Sequence, residues 1–169
     1  MPPEDNEEHE EHSSPAARTP GSNLPVSAGL GWRILGRVLD AVLVGLAYSI
    51  LAAVVGLPPP TLGLGGVEAW TASALTAAIW LLYYVAAESQ WGTTVGKRIV
   101  GLRVAGPDWA RPSVASAAIR NGWIVFGLIP LVGGLVQLVA VIVIAVTIAR
   151  SEANRGIHDR LAGTTVLRG

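Results

Sequence analysis

Three charged side chains at the start of an apolar stretch are the first residues that could do chemistry. Arg33, Arg37 and Asp40 stand in "RILGRVLD", directly before seventeen uncharged residues, Ala41–Leu57. At about 100° per residue, their spacing of i, i+4 and i+7 places all three on one face of a helix. An ionised residue at the centre of a bilayer costs about 2.5–3.5 kcal/mol on insertion scales, so it faces a bundle interior or a wet cavity. We therefore expect a polar cluster at the mouth of a helix bundle.

A second polar stretch near the C-terminus is expected to join this cluster. "NRGIHDRLAGTTVL", residues 154–167, places His158 beside Asp159 directly after the last apolar run. Asp159 is expected to accept hydrogen bonds from Arg33 or Arg37, because that pairing neutralises charge at the membrane edge. Arg120 either faces the same cavity or marks a membrane boundary. The cluster is either a structural lock, in which Asp40 pairs with Arg33 or Arg37, or a site for transport or ligand binding.

The residue types argue against an enzyme. The chain has no cysteine, and His158 is the single histidine outside the acidic N-terminal segment. The body offers no hydroxyl nucleophile or second histidine that would complete a catalytic triad. A single histidine without thiolates is a poor zinc site. We therefore predict no catalytic residues, no metal site and no cofactor.

Three apolar stretches must position these side chains. Ile34–Leu57 is roughly 36 Å long as a helix and Ala69–Ala87 has nineteen uncharged residues, so each can cross a ~30 Å hydrocarbon core. Asn121–Ala149 is harder to interpret, because about 43 Å is too long for one simple crossing and too short for two. A break at Pro130 or Gly133 would give about four transmembrane or re-entrant helices. The alternative is one long tilted third helix.

Positive charges orient this bundle. The link at residues 58–68 has no Lys or Arg, whereas residues 89–120 carry five and residues 150–169 carry four. Because Lys and Arg concentrate in cytoplasmic loops, the 89–120 segment is expected inside. The distribution favours four membrane segments with both termini in the cytoplasm.

The inside loop has its own pattern. Val100, Leu102 and Val104 alternate with other residues, and a turn sequence at 106–108 follows. This predicts a short β-hairpin on the membrane surface after the second helix. The basic loop at 97–111 lies beside membrane and has few aromatic residues, so we expect anionic lipid headgroups as its partner and no nucleic acid.

The N-terminal segment differs from the body. Residues 1–29 contain six acidic residues and one arginine, and they lack an apolar run. Such a segment cannot bury enough surface to offset chain entropy, so we predict a disordered acidic tail at 1–29 and a transmembrane domain at 30–169. The body carries eleven Lys and Arg against six Asp and Glu, a difference of about +5.

Three blocks of the body resemble the RDD family of small bacterial membrane proteins, named for one arginine and two aspartates. They are "AGLGWRILGRVLDAVLVG", "WGTTVGKRIVGLRV" and "NRGIHDRLAGTTVL", in that order. In this resemblance Arg33 matches the signature arginine, and Asp40 and Asp159 match the two aspartates.

The resemblance implies an all-α, multi-pass protein of the bacterial inner membrane, and it implies little chemistry. Some members have a suspected link to transport, including cation/proton exchange. One hypothesis is therefore a small transporter or ion/proton exchanger subunit that binds its ion at Asp40 and Asp159. The alternative is a non-catalytic accessory or assembly subunit, with small residues such as Ala52, Gly56 and Gly127 packed on partner helices. Both imply the lipid bilayer as partner, together with a homo-oligomer or a larger membrane complex.

Overall fold

The computed structural model describes residues 26–56, 66–129 and 131–169. These residues are mostly helical, with a small three-stranded sheet. The helices are α1 (Leu30–Val55), α2 (Val67–Trp91), α3 (Val95–Ile99), α4 (Val114–Asn121), α5 (Gly133–Ala149) and α6 (Ile157–Leu161). The strands are β1 (Val26–Ser27), β2 (Leu102–Ala105) and β3 (Thr165–Arg168), and 3₁₀ turns form at Pro107–Trp109 and Gly122–Leu128.

Two of these helices are long and apolar enough to cross a membrane. α1 has 26 residues and α2 has 25, which correspond to roughly 38 Å each. Each ends at a glycine in the left-handed conformation, Gly56 with φ 70° and Gly92 with φ 66°. Glycine adopts that conformation without a Cβ penalty, so it ends a helix cleanly.

The third apolar stretch is broken into separate pieces. α4 ends at Asn121, the 3₁₀ turns follow, and Leu131 has a φ of 66° before α5 begins. A Cβ on Gly133 would lie 2.6 Å from the carbonyl oxygen of Gly127, so the two segments cross at backbone contact. A single continuous helix is therefore excluded, and the expected break is present. Pro130 lies outside the described residues, and the number of crossings stays a prediction.

The predicted β-hairpin is wrong. Residues 95–99 form α3, capped by Thr94, whose hydroxyl accepts from the backbone of Lys97. β2 pairs antiparallel with β3 near the C-terminus, and β3 also pairs with β1, giving the order β1-β3-β2. Val104 and Val166 are fully buried beneath this sheet. The partner of β2 is thus a distant strand, which local alternation cannot reveal.

The first described residues belong to the fold. Val26–Gly29 fell within the predicted tail, yet Val26 pairs with Arg168 and Ala28 is buried. Residues 1–25, which hold the acidic part of that tail, lie outside the described residues. Because β1 precedes α1 and β3 ends the chain, both ends of the body meet at one end of the helices.

Polar groups lie inside this structure and large apolar groups lie outside. Buried side chains include Asp40, Glu88 and Asp159, whereas Val42, Leu46, Ile50, Val54, Leu82, Leu135, Leu138 and Ile142 are exposed. Lipid solvates exposed aliphatic groups, and in lipid a polar group needs an internal partner. This distribution is that of a membrane protein.

The sheet register predicts a specific cross-link. Val26→Cys combined with Arg168→Cys should form a disulfide on oxidation, because directly opposed residues of antiparallel strands have Cα atoms about 4.5–5.5 Å apart, within disulfide range. The wild-type chain has no cysteine to interfere. Loss of maleimide labelling measures the bond. Val26→Cys with Arg160→Cys, an exposed position in α6, is the control that should keep both thiols. Full labelling of the first pair would contradict the register.

Candidate functional site

Asp159 joins the two ends of the folded body. Its Oδ2 lies 2.5 Å from Nη1 of Arg33 and accepts from the backbone N of Gly156 at 3.0 Å, while its Oδ1 pairs with Arg120. Asp159 occupies the first turn of α6, a place where a carboxylate satisfies free backbone N–H groups. The predicted contact between Arg33 and Asp159 is present, and Asp159 is fully buried.

Arg120 extends this pair into a larger network. Its Nε lies 3.3 Å from Oε2 of Glu88, which also forms an ion pair with Lys97 and accepts from Asn121 Nδ2 at 2.9 Å. Of the two roles considered for Arg120, the structure thus places it beside the cluster. Sequence reasoning missed Glu88 as a member, because a Glu after nineteen uncharged residues also suits a simple membrane boundary.

Asp40 lies apart from the ion pairs. It accepts from the hydroxyls of Tyr83 and Thr94, each at 2.6 Å, and from the backbone N of Gly96 at 2.8 Å. The expected contact of Asp40 with Arg33 or Arg37 is not made. Instead this buried carboxylate ties α1 to α2 and to the start of α3. The donors to Asp40 are neutral groups and not arginines because α3 packs against α1 at this depth. The sequence did not indicate that contact between the two helices.

Arg37 carries no carboxylate partner within the described residues. Its Nη2 donates to Asn121 Oδ1 at 2.6 Å, and its guanidinium lies over the ring of Tyr84 at 4.0 Å and 5.4 Å from the ring of Trp123. Aromatic faces attract a guanidinium without neutralising it. Arg37 is also only half-buried, so it is the member of the cluster available to an incoming group.

His158 is neutral at physiological pH. Burial lowers its pKa to about 3, with Arg120 acting in the same direction. Its Nε2 lies 3.4 Å from Asp159 Oδ1, and its buried Nδ1 has no hydrogen-bond partner among the described residues.

The surroundings also set the charges of Asp159 and Lys97. Burial acts to raise the pKa of Asp159, but Arg120, His158 and Arg33 outweigh it and hold that pKa at about 2. Burial lowers the pKa of Lys97 to about 8, against the opposing effect of Glu88. Both groups are therefore mainly charged at neutral pH. Lys97 is buried and already forms an ion pair with Glu88, whereas Arg98 of the basic loop is exposed.

Two cavities flank Arg37. One of about 310 Å³ lies between α1 and α5, and one of about 390 Å³ lies among α2, the 3₁₀ turns of Gly122–Leu128 and the start of α5. Arg37 and Trp123 line both. In the part of the chain that the structure describes, no three His, Asp or Glu side chains converge as metal ligands would.

The sequence profile of the RDD family matches residues 27–163 of this chain. The chain belongs to the RDD family. No curated protein and no solved structure matches it. The resemblance of the three sequence blocks is thereby confirmed, and family and apolar helices together indicate a membrane protein. In this RDD domain the signature Arg33 and Asp159 form one ion pair, while the signature Asp40 holds α3 by neutral hydrogen bonds.

The contact between α1 and α3 predicts a sensitive glycine. A Cβ on Gly96 would lie 2.5 Å from the backbone N of Asp40 and 2.9 Å from its Cγ. Gly96→Ala should therefore force the helices apart and lower the free energy of unfolding by about 1–3 kcal/mol, measured by thermal unfolding in detergent. Gly45→Ala is the control, since nothing lies within 4 Å of its Cβ position. Equal melting temperatures for both variants would contradict the contact.

The pKa of His158 predicts acid destabilisation. Its folded value of about 3 lies below its ordinary value of 6.5, so the unfolded state binds more protons between these values. The free energy of unfolding should fall as pH drops from 6.5 toward 3, by about 2 kcal/mol at pH 5.

His158→Gln is the matched variant and should lose less stability between pH 7 and pH 5 in thermal unfolding. Asp159 does not affect this comparison between pH 7 and pH 5. Its lowered pKa contributes to the free energy of unfolding fully above about pH 3.8, and this contribution is lost as the pH falls toward 2. Equal acid sensitivity of both proteins would show that His158 is not held neutral by burial.

Proposed function

We propose that this protein is a small transporter subunit in which Arg37 contacts the translocated species. The observation that supports the proposal most is that Arg37 and Trp123 line both cavities. A transporter needs a binding group that can be reached from two compartments, and binding groups inside membranes are typically ionisable residues facing a cavity.

The geometry favours an anion over the cation expected from the family. Asp40 and Asp159 were the predicted ion-binding carboxylates, yet both are fully buried and each already accepts from several protein donors. A cation would have to displace these donors. Arg37, by contrast, has five N–H donors, of which one is used by Asn121. An anionic group can therefore bind there without breaking the network.

We further propose that the end of the helices carrying the sheet faces the cytoplasm in a bacterial inner membrane. β1 and β3 meet there, and the Lys and Arg residues of 89–120 and 150–169 are expected on that side. Four short segments enclose little space, so a homo-oligomer is the expected assembly.

The accessory alternative finds less support. Gly127 was one of the small residues expected to pack on a partner helix. A Cβ there would lie 2.6 Å from Oε1 of Gln137, so this surface is occupied within the chain. Ala52 and Gly56 remain available, but no specific contact favours them over lipid.

A flux assay tests the proposal. The full chain is reconstituted into vesicles, and the movement of radiolabelled phosphate, acetate and a fluorescent phosphatidylglycerol is followed. We expect at least one of these anions to move faster than in protein-free vesicles. Arg37→Gln should reduce that flux about tenfold, the worth of one charge-assisted hydrogen bond of about 1.4 kcal/mol.

Two variants serve as controls. Arg150→Gln removes an exposed cation outside the basic loop and should leave the flux unchanged, and Arg37→Lys should retain part of it because the charge is kept. Absence of flux for every probe would contradict transport. Co-purification of the wild-type chain with a larger membrane protein at fixed stoichiometry would then favour the accessory role.

A further inference from the structure

The cavity between α1 and α5 is a groove formed by one stripe from each helix. α1 contributes residues 30, 33, 34, 37, 38 and 41, and α5 contributes residues 141, 144, 145 and 148. Both sets follow the i, i+3, i+4, i+7 spacing of a single helix face. The groove therefore runs along the two helices, with its walls fixed by regular secondary structure.

One end of the groove is strongly cationic. Arg33, Arg37, Lys97 and Arg120 all line it, and none of the lining residues is an Asp or Glu. The partner carboxylates, Glu88 and Asp159, are fully buried and do not line the cavity. The further lining residue His158 has a buried Nδ1 with no hydrogen-bond partner among the described residues, and the buried Nε of Arg120 makes no hydrogen bond although it lies 3.3 Å from Glu88 Oε2.

The walls of the groove are aliphatic and open to the side. Ile34 is 51% exposed, Val38 is 50% exposed and Val141 is 41% exposed. Ala41, Ile144 and Ala145 complete the walls. Since α1 is long enough to span a bilayer, its exposed side chains at this depth face lipid tails. An acyl chain can therefore reach the groove directly from the membrane.

We infer that this groove binds an anionic phospholipid, with the phosphate against Arg37 and an acyl chain along Val38, Ala41 and Val141. Guanidinium groups recognise phosphate by paired, charge-assisted hydrogen bonds. The aliphatic walls can contact an acyl chain, whereas a phosphate without a chain would make no contact with them. Read with the proposed function, on which this step rests, such a lipid is the class of molecule that the transporter carries.

Two other anions fit the groove less well. A free inorganic anion matches the cationic end but leaves the aliphatic walls empty. The acidic N-terminal segment of the same chain, "EDNEEHEE" at residues 4–11, carries the right charge but no aliphatic or aromatic side chain for the walls. The volume of about 310 Å³ lies at the lower end of the range for small-molecule pockets, roughly 300–1,000 Å³, and accommodates a headgroup with part of one chain.

Native mass spectrometry of the full chain tests the inference without any transport step. The protein in detergent is mixed with phosphatidylglycerol and phosphatidylcholine of the same chain length. We expect one phosphatidylglycerol to be retained with at least about tenfold preference, since the choline lipid presents the same phosphate beside a cation.

Two pairs of variants locate the site. Arg37→Gln should reduce retention about tenfold, whereas Arg150→Gln, at an exposed arginine outside both the groove lining and the basic loop, should not. Ile144→Trp fills the groove without changing a charge and should abolish retention. Ile142→Trp lies on the same helix but outside the groove lining, so it should bind like the wild type. Because Ile144→Trp leaves the charge network intact, the test does not depend on Arg37→Gln folding normally.

Several results would overturn the inference. Equal retention of both lipids, or loss of binding in Arg150→Gln and Ile142→Trp to the same extent, would indicate general surface attraction. Displacement of the lipid by an equal concentration of inorganic phosphate would indicate a site for the free anion. Failure of the flux assay with lipid binding intact would reject the proposed transport alone, so the two failures are distinguishable.

Discussion

The ion pair between Arg33 and Asp159 is the interaction on which the rest of this structure depends. A charge buried inside a protein is costly unless it is paired, and removing one partner of a buried pair leaves the other uncompensated. Here the partners come from the first and the last helix of the body, so neutralising them brings both ends of the chain to one end of the bundle. The pairing of β1 with β3 follows at the same place. Arg120 then connects this pair to Glu88 and Lys97, so that five buried side chains stabilise one another.

The proposed function rests on Arg37, the cation of the cluster that has no carboxylate partner among the described residues. Arg37 has the aromatic rings of Tyr84 and Trp123 around it and an amide as partner, while the other cations of the cluster have carboxylates. The network can be satisfied internally and still present cations to the cavities, because no Asp or Glu of the described residues lines either of them. That asymmetry is why the geometry favours an anionic species over the cation suggested by the family. The aliphatic walls of the groove narrow the choice further, toward a molecule with both a charged head and an apolar chain.

The predictions that failed share one cause. The hairpin was expected because residues 100–104 alternate, but alternation gives the faces of a strand and not its partner. The partner of this strand is β3, about sixty residues away, which pairs with it side by side. Asp40 was expected beside an arginine because Arg37 lies one turn away on the same helix. In the structure α3 lies against α1, and its backbone N–H at Gly96 together with two hydroxyls occupies the carboxylate instead. Glu88 was missed for the same reason, since its partner Lys97 is a local neighbour but Arg120 and Asn121 are not.

The sequence by itself determined the properties that depend on composition and period. The lengths of the apolar runs, the placement of Arg33, Arg37 and Asp40 on one helix face, the break in the third stretch and membership of the RDD family could all be read from it. Only the tertiary structure decided which cation neutralises which carboxylate. Coulomb energy in a poorly solvated interior depends steeply on separations of a few ångströms. Those separations follow from how α3, α4 and α6 pack against the long helices, and residue order alone does not fix that packing.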